Sequence, residues 1–239
     1  EALAYAKKND FVFEDKTVAV YSFLQLYLNN RGDVAWNTLK NSKLNPKSNP
    51  LAAYTKATVA MRTGQNDEAI RLLQESPTGA QYAPFHYRNY MLGLAKLRRL
   101  DGDANKALEA FVNNSKGENG IKEAYQKLAW YHLANDNESG YRTYMNYVKL
   151  KGAANSEGDK AALREANSGE IPDQRLLRAR LLFDGGYHQR GYDLLKNNVS
   201  DYAVDRKKSL EYTYRLGRIT HKLGKIQDAI RLYTQTVDN

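Results

Sequence analysis

Between Tyr214 and Tyr233 the chain reads YRLGRITHKLGKIQDAIRLY, with apolar residues three and four apart on both sides of Gly224. That spacing predicts two amphipathic helices joined by a tight turn. Small residues mark the stretch at Gly217, Gly224 and Ala229, seven and then five apart. The trio recurs as Ala179, Gly186, Gly191, as Ala95, Gly102, Ala107 and as Ala57, Gly64, Ala69. Looser copies stand at Leu128, Asn135, Gly140 and at Phe23, Asn30, Ala35. Four full copies predict an internal repeat. The middle position falls where one helix ends and the chain turns back, and Gly, less often Asn, tolerates the left-handed backbone used there. The outer positions fall where two antiparallel helices cross, and small side chains let the backbones approach. Four residues after each third position comes a larger residue, Leu39, Leu73, Phe111, Tyr144, Leu195 or Tyr233, on the same helix face.

The frame predicts helices at about 17–29 with 33–42, 50–62 with 66–75, 84–100 with 103–113, 119–134 with 137–150, 172–184 with 187–197, and 205–222 with 226–237. Pro50, Pro84 and Pro172 fall at helix starts, where the missing N–H costs nothing. The copies begin 34, 38, 33, 51 and 38 residues apart. The long step holds KGAANSEGDKAALREANSGEIPD, Gly-, Ser- and Asn-rich at its ends, with Ser156 and Asp159 reading as a helix start. An inserted helix or lid, or a plain spacer between two halves, both fit, and any bend in the chain is expected here.

The pattern resembles the tetratricopeptide repeat, a helix–turn–helix unit of about 34 residues with small residues at its eighth and twentieth positions and an aromatic at its twenty-fourth. The copies depart from it at Phe23 and Leu128, in an eleventh-position Tyr kept only as Tyr131, and in a displaced closing Pro. The resemblance implies an all-α, right-handed superhelical solenoid of about six antiparallel helix pairs. Residues 1–150 would hold repeats 1 to 4, 151–171 an insertion or spacer with a short helix, and 172–239 repeats 5 and 6, in one continuous domain. Ile226, Ile230 and Val237 leave the last helix apolar where such arrays need a polar cap. Further repeats, or self-association through the terminal repeats, would cover it.

The 239 residues and 26% charged composition suit a folded chain, and no apolar run approaches the roughly 18 residues that cross a bilayer. The start at Glu1, without Met, reads as a trimmed or mature chain, and the compartment stays open. With no Cys, disulfides, thiolate metal sites and Cys nucleophiles are excluded. The net charge of +9 is spread among acids rather than gathered in a basic block, which disfavours nucleic acid and leaves polyanions open.

Catalytic signatures are absent. His86, His132, His188 and His221 are scattered, and no phosphate loop, dinucleotide fingerprint or nucleophile elbow occurs. The adjacent acids Glu14 and Asp15 read as solvated, and the RGD at Arg31 to Asp33 reads as a turn followed by a helix start. Asn113, Asn137 and Asn198 head weak N-x-Ser triplets. No enzymatic activity, cofactor or metal is expected.

The resemblance places family positions two, five, nine and twelve on a concave groove that takes partner segments. These positions give Leu24, Tyr27, Tyr54, Met61, Lys96, Arg99, Tyr125, His132, Arg180, Phe183, Tyr214, Arg218 and His221. Tyr and Arg are frequent hot-spot residues. Lys96, Arg99, Arg180 and Arg218 suit an acidic partner segment or a terminal carboxylate. The expected function is therefore a non-catalytic protein–protein interaction scaffold holding a protein or peptide partner. The alternative is a polyanion- or glycan-binding module using the same basic and aromatic residues. The Lys and Asn set with which chaperone-binding members of the family clamp a terminal carboxylate is not reproduced.

Overall fold

The computed structural model describes residues 18, 20–22, 25, 31–40, 45–77 and 86–238. Tyr27, Leu24, Pro84 and most of the first expected helix lie outside them. The described residues are all-helical, without strands. In chain order the helices are α1 (Gly32–Lys40), α2 (Pro50–Arg62), α3 (Asn66–Glu75), α4 (Tyr87–Arg99), α5 (Ala104–Asn114) and α6 (Ile121–Ala134). They continue as α7 (Glu138–Leu150), α8 (Glu157–Ser168), α9 (Gln174–Asp184), α10 (His188–Leu195), a 3-10 turn (Val199–Tyr202), α11 (Arg206–Lys222) and α12 (Ile226–Asp238). No described helix is long and apolar enough to cross a membrane.

Local chemistry explains the boundaries. Pro50 opens α2, where Asn49 accepts from the Ala52 amide at 3.0 Å. Asp173 caps α9 through Leu176 N, Asp205 caps α11 through Lys208 N, and Asn137 caps α7 through Gly140 N. Pro172 therefore precedes the cap of α9 instead of sitting inside the helix.

Three of the expected turn glycines, Gly64, Gly186 and Gly224, have φ of 76°, 84° and 76°. Gly102 does not follow them. Its turn places Leu100 at φ 64°, and the turn after α6 uses Asp136 at φ 60° instead of Asn135. The outer small positions do sit at crossings. A Cβ on Gly217 would stand 3.0 Å from the Tyr233 ring, and one on Gly191 3.2 Å from Ile219. Of the larger residues that follow, Leu39, Leu73 and Leu195 are at 0% exposure and Phe111 at 1%, while Tyr144 and Tyr233 are half-buried.

The chain divides into two compact units: Glu1–Thr63 with Asp67–Phe85, and Gly64–Asn66 with His86–Asn239. In the first, α1 packs on α2, with Leu39 and Ala52 fully buried beside Val18 and Leu51. The second holds four hairpins, α4–α5, α6–α7, α9–α10 and α11–α12, and α6 packs on both helices of the pair before it, as α11 does on α9 and α10.

After α7 the helix that packs on both members of the preceding pair is α8, while α9 packs on α4, α6 and α11. Residues 151–171 thus lie within the second unit and contribute to its core, with Ala162 and Ala166 buried beside Trp130, Tyr141, Met145 and Leu177. The division of the chain falls near residues 64–86, not at the insertion.

A fully buried carboxylate fastens α8 in place. Asp159, at 0% exposure, accepts from Gly120 N at 2.8 Å and Glu123 N at 3.1 Å, so it caps α6 from another helix. Ser156 completes the arrangement by donating to Asp159 Oδ2 at 2.7 Å and accepting from Asp159 N at 3.0 Å. At the same end of the pair, the buried Lys122 donates from Nζ to Val148 O at 2.7 Å, near the C-terminus of α7.

Asp159→Ala leaves the half-buried amides of Gly120 and Glu123 at the start of α6 unpaired and is expected to cost about 2–4 kcal/mol in urea unfolding, against about 1 kcal/mol for Ser156→Ala. Gly224→Ala, at positive φ, is expected to cost about 1 kcal/mol. Gly102→Ala, with open space around the new methyl, is expected to be neutral or stabilising in the same assay.

Candidate functional site

Ten residues of α6, from Ile121 to Ala134, are buried, and they include the polar Lys122, Gln126 and Lys127. A helix enclosed on several sides brings its polar groups inside, where each needs a partner. Gln126 donates to Glu165 Oε2 at 2.5 Å, and Trp130 Nε1 donates to Glu165 Oε1 at 2.8 Å. Tyr141 OH reaches the same carboxylate at 3.4 Å, and burial first, then the charge of Glu165, pushes its phenol well above the usual range. Glu165 of α8 therefore joins α6, α7 and α8.

Beside it lies a cleft of about 400 Å3 with Trp130 in its wall. Glu165, Ser168 and Glu170 line it from α8 and its exit, Leu177 and Arg180 from α9, and Lys207, Lys208, Glu211 and Arg215 from α11. Most of its acids already have partners. Asp173 and Asp205 cap helices, Glu170 takes Lys207 at 2.5 Å, and Glu211 holds Arg215. Arg180 is held more loosely, 3.9 Å from Asp184, and its guanidinium lies 4.7 Å from the Trp130 ring centre.

On the same ring, Lys127 Nζ stands 3.9 Å from the centre. Lys127 is 8% exposed, donates to Gln126 Oε1 at 2.7 Å and lies 3.8 Å from Glu123. Burial pushes its pKa down from 10.5 to about 8, with Arg180 and Arg98 pushing the same way and Glu123 and Glu165 opposing them. Arg98 of α4 is half-buried, and desolvation lowers its pKa also.

Of the residues expected from sequence, Arg180 lines this cleft. Tyr54 is in the core at 5% exposure. Lys96 and Arg99 are engaged with Asp103 and Asp101, each at 2.6 Å. Phe183, Tyr214 and Arg218 come together, with the guanidinium 4.3 Å from the Phe183 ring and 5.7 Å from Tyr214. Tyr125 and His132 join a different group, where His132 stacks on Tyr144 at 5.0 Å and Tyr125 meets Tyr147 at 5.5 Å. His221 contacts Tyr233 at 6.4 Å. The expected residues thus form several local clusters rather than one strip.

Arg98, Lys127, Trp130 and Glu165 fall outside the sequence expectations. For Lys127 and Trp130 the signal is the run IKEAYQKLAWYHLA, which has no clean polar face and so marks a helix enclosed on several sides, whereas Arg98 and Glu165 stand on other helices without such a mark. Searched against family models, curated proteins and solved structures, the chain matches none.

Lys127 sheds its proton in the native state before it would in the unfolded chain. Its burial thus costs stability fully below pH 8, and that cost fades as pH rises from about 8 to 10.5. Lys127→Met is expected to stabilise the protein by up to about 3 kcal/mol at pH 7 and by much less at pH 10, read by urea unfolding.

Proposed function

We propose that this chain is a non-catalytic interaction module built from divergent tetratricopeptide-like repeats, about six helix pairs in a right-handed solenoid modified by α8. It holds a segment of a protein partner. The observation that carries this reading is the cleft walled by α6, α8, α9 and α11, of about 400 Å3, with Trp130 and Arg180 side by side in its wall. A buried aromatic ring beside an arginine combines apolar area with a planar set of donors, the composition of a binding hot spot. The first helices of successive pairs form much of the wall, in keeping with how repeat arrays present ligands.

The seam between sequence and structure also supports a local site over a long continuous groove. Of the four expected groove cations, Lys96 and Arg99 are engaged with acids of their own hairpin, Arg218 lies on Phe183 and Tyr214, and Arg180 lines the cleft.

Ser168 is exposed at the end of α8 and lines the cleft, so Ser168→Trp narrows it without removing a core contact. In affinity capture from native extract, a protein retained by the wild type and by the remote variant Arg142→Gln is expected to be lost with Ser168→Trp. Equal capture by all three would refute the assignment of the cleft.

A further inference from the structure

Asn119 and Gly120 form the one Asn–Gly pair of the chain. Such a pair carries covalent chemistry of its own, because glycine offers no side chain to shield its amide from the neighbouring carboxamide. The Gly120 nitrogen attacks Asn119 Cγ and a C–N bond forms, while the Cγ–Nδ2 bond breaks and ammonia leaves with the amide proton. Water then opens the resulting succinimide at either carbonyl. The products are aspartate and an iso-aspartate whose main chain runs through the former side chain. The attacking species is the deprotonated amide, and the carboxamide must swing onto it.

Asn119 is exposed, just ahead of α6, so water reaches it. The fold opposes both other requirements. Gly120 N donates to Asp159 Oδ2 at 2.8 Å, and a carboxylate at that place disfavours the negative charge the amide must acquire. Asn119 Oδ1 accepts from Asn155 Nδ2 at 2.8 Å, which ties the carboxamide to the segment before α8. Ala153 N donates to Glu118 O at 3.2 Å, and a Cβ on Gly152 would stand 2.7 Å from Ile121, so residues 152–155 lie close along 118–121. Every one of these restraints comes from α8 or its lead-in, and Ser156 fixes Asp159 in turn.

We propose that Asn119 is a deamidation site latched by α8: ring closure is blocked while α8 is docked, proceeds when α8 lifts, and then hinders its return. The iso-aspartyl product adds a methylene to the main chain between residues 119 and 120, which moves Gly120 N away from Asp159. The aspartyl product adds a negative charge one residue before the amide that Asp159 holds. Helix α8 supplies Glu165 and Ser168 to the cleft, so the modification is a one-way change of that wall. The chemistry needs water and no partner, and it stands apart from the interaction reading.

The test is ageing of the full chain at mildly alkaline pH, with deamidation at Asn119 followed by peptide mass spectrometry. The reference is a synthetic peptide of residues 115–124, which has no α8 to hold it. The native chain is expected to react about tenfold more slowly than the peptide, or slower still. Ser156→Ala, which loosens the first turn of α8, is expected to speed the reaction about fivefold, and Asp159→Ala about tenfold or more. Arg142→Gln, on the exposed face of α7, is expected to leave the rate unchanged. Circular dichroism checks that the variants fold, and if Asp159→Ala does not, Ser156→Ala, at an exposed position, decides. Hydrogen exchange on the aged chain reads the latch, with the amides of α8 expected to exchange about tenfold faster or more in the deamidated fraction.

A native rate equal to that of the peptide would overturn the proposal. So would folded variants that react no faster than the wild type, because Asp159 would then assist the amide as a base instead of restraining it. Equal exchange of α8 in the deamidated and intact fractions would likewise overturn the latch.

Discussion

Helix α6 is buried along most of its length, and that enclosure governs the second unit. A helix with one solvent face leaves its polar residues and its terminal amides to water. This one has little such face, so its first amides, Lys122, Gln126, Lys127 and the indole of Trp130 all take partners from the protein. Asp159 meets the amides, the end of α7 takes Lys122, and Glu165 takes Gln126 and Trp130. Two of those three partners come from α8. The segment that looks like an interruption of the repeat is thus the source of the groups that let α6 be buried, since an unpaired amide or indole there would cost about 1–3 kcal/mol each.

The same helix changes the path of the chain. In the hairpins before and after, the next first helix packs on both members of the preceding pair, and α8 occupies that place beside α6 and α7. Helix α9 then rests on α4 and α6, bringing Arg180 towards Arg98 and Lys127. Of these, Lys127 is the one enclosed, while Arg98 is half-buried and the Arg180 side chain stays open to water. This explains why Lys127 loses much of its preference for the charged state while Lys96, beside Asp103, is matched by an acid of its own hairpin.

Much of the helical layout is legible in the sequence, because its signals are local. The trio of small residues locates the turns at Gly64, Gly186 and Gly224, and four positions after its third member Leu73 and Leu195 are in the core while Tyr233 is half-buried. Caps at Asn49, Asn137, Ser156, Asp173 and Asp205 are likewise read within three residues of themselves. Gly102 shows the limit of the trio. Its turn is closed by Leu100 in the left-handed conformation, a substitution of roles that a spacing rule does not register. The candidate site is less legible still. Asp159 reads as the third residue of a helix start, yet its carboxylate serves α6, 36 residues earlier along the chain for Glu123 N. Arg180 was accessible to a positional argument, whereas Arg98 and Lys127 stand at positions that such arguments assign to packing.

A charge placed by packing alone would be expected to disappear into an apolar substitute, since an isolated buried cation opposes folding. Lys127 is not isolated, because Glu123 lies 3.8 Å away, Gln126 accepts from it at 2.7 Å and the Trp130 ring centre is 3.9 Å off. A stability argument accounts for part of this, since Glu123 and Gln126 offset some of the cost of burying the ammonium. It accounts well for the carboxylates themselves, which satisfy helix ends and an enclosed indole. The acids that line the cleft thus carry structural duties, and of Arg98, Lys127 and Arg180 it is Arg180, 3.9 Å from Asp184, that lines it beside them.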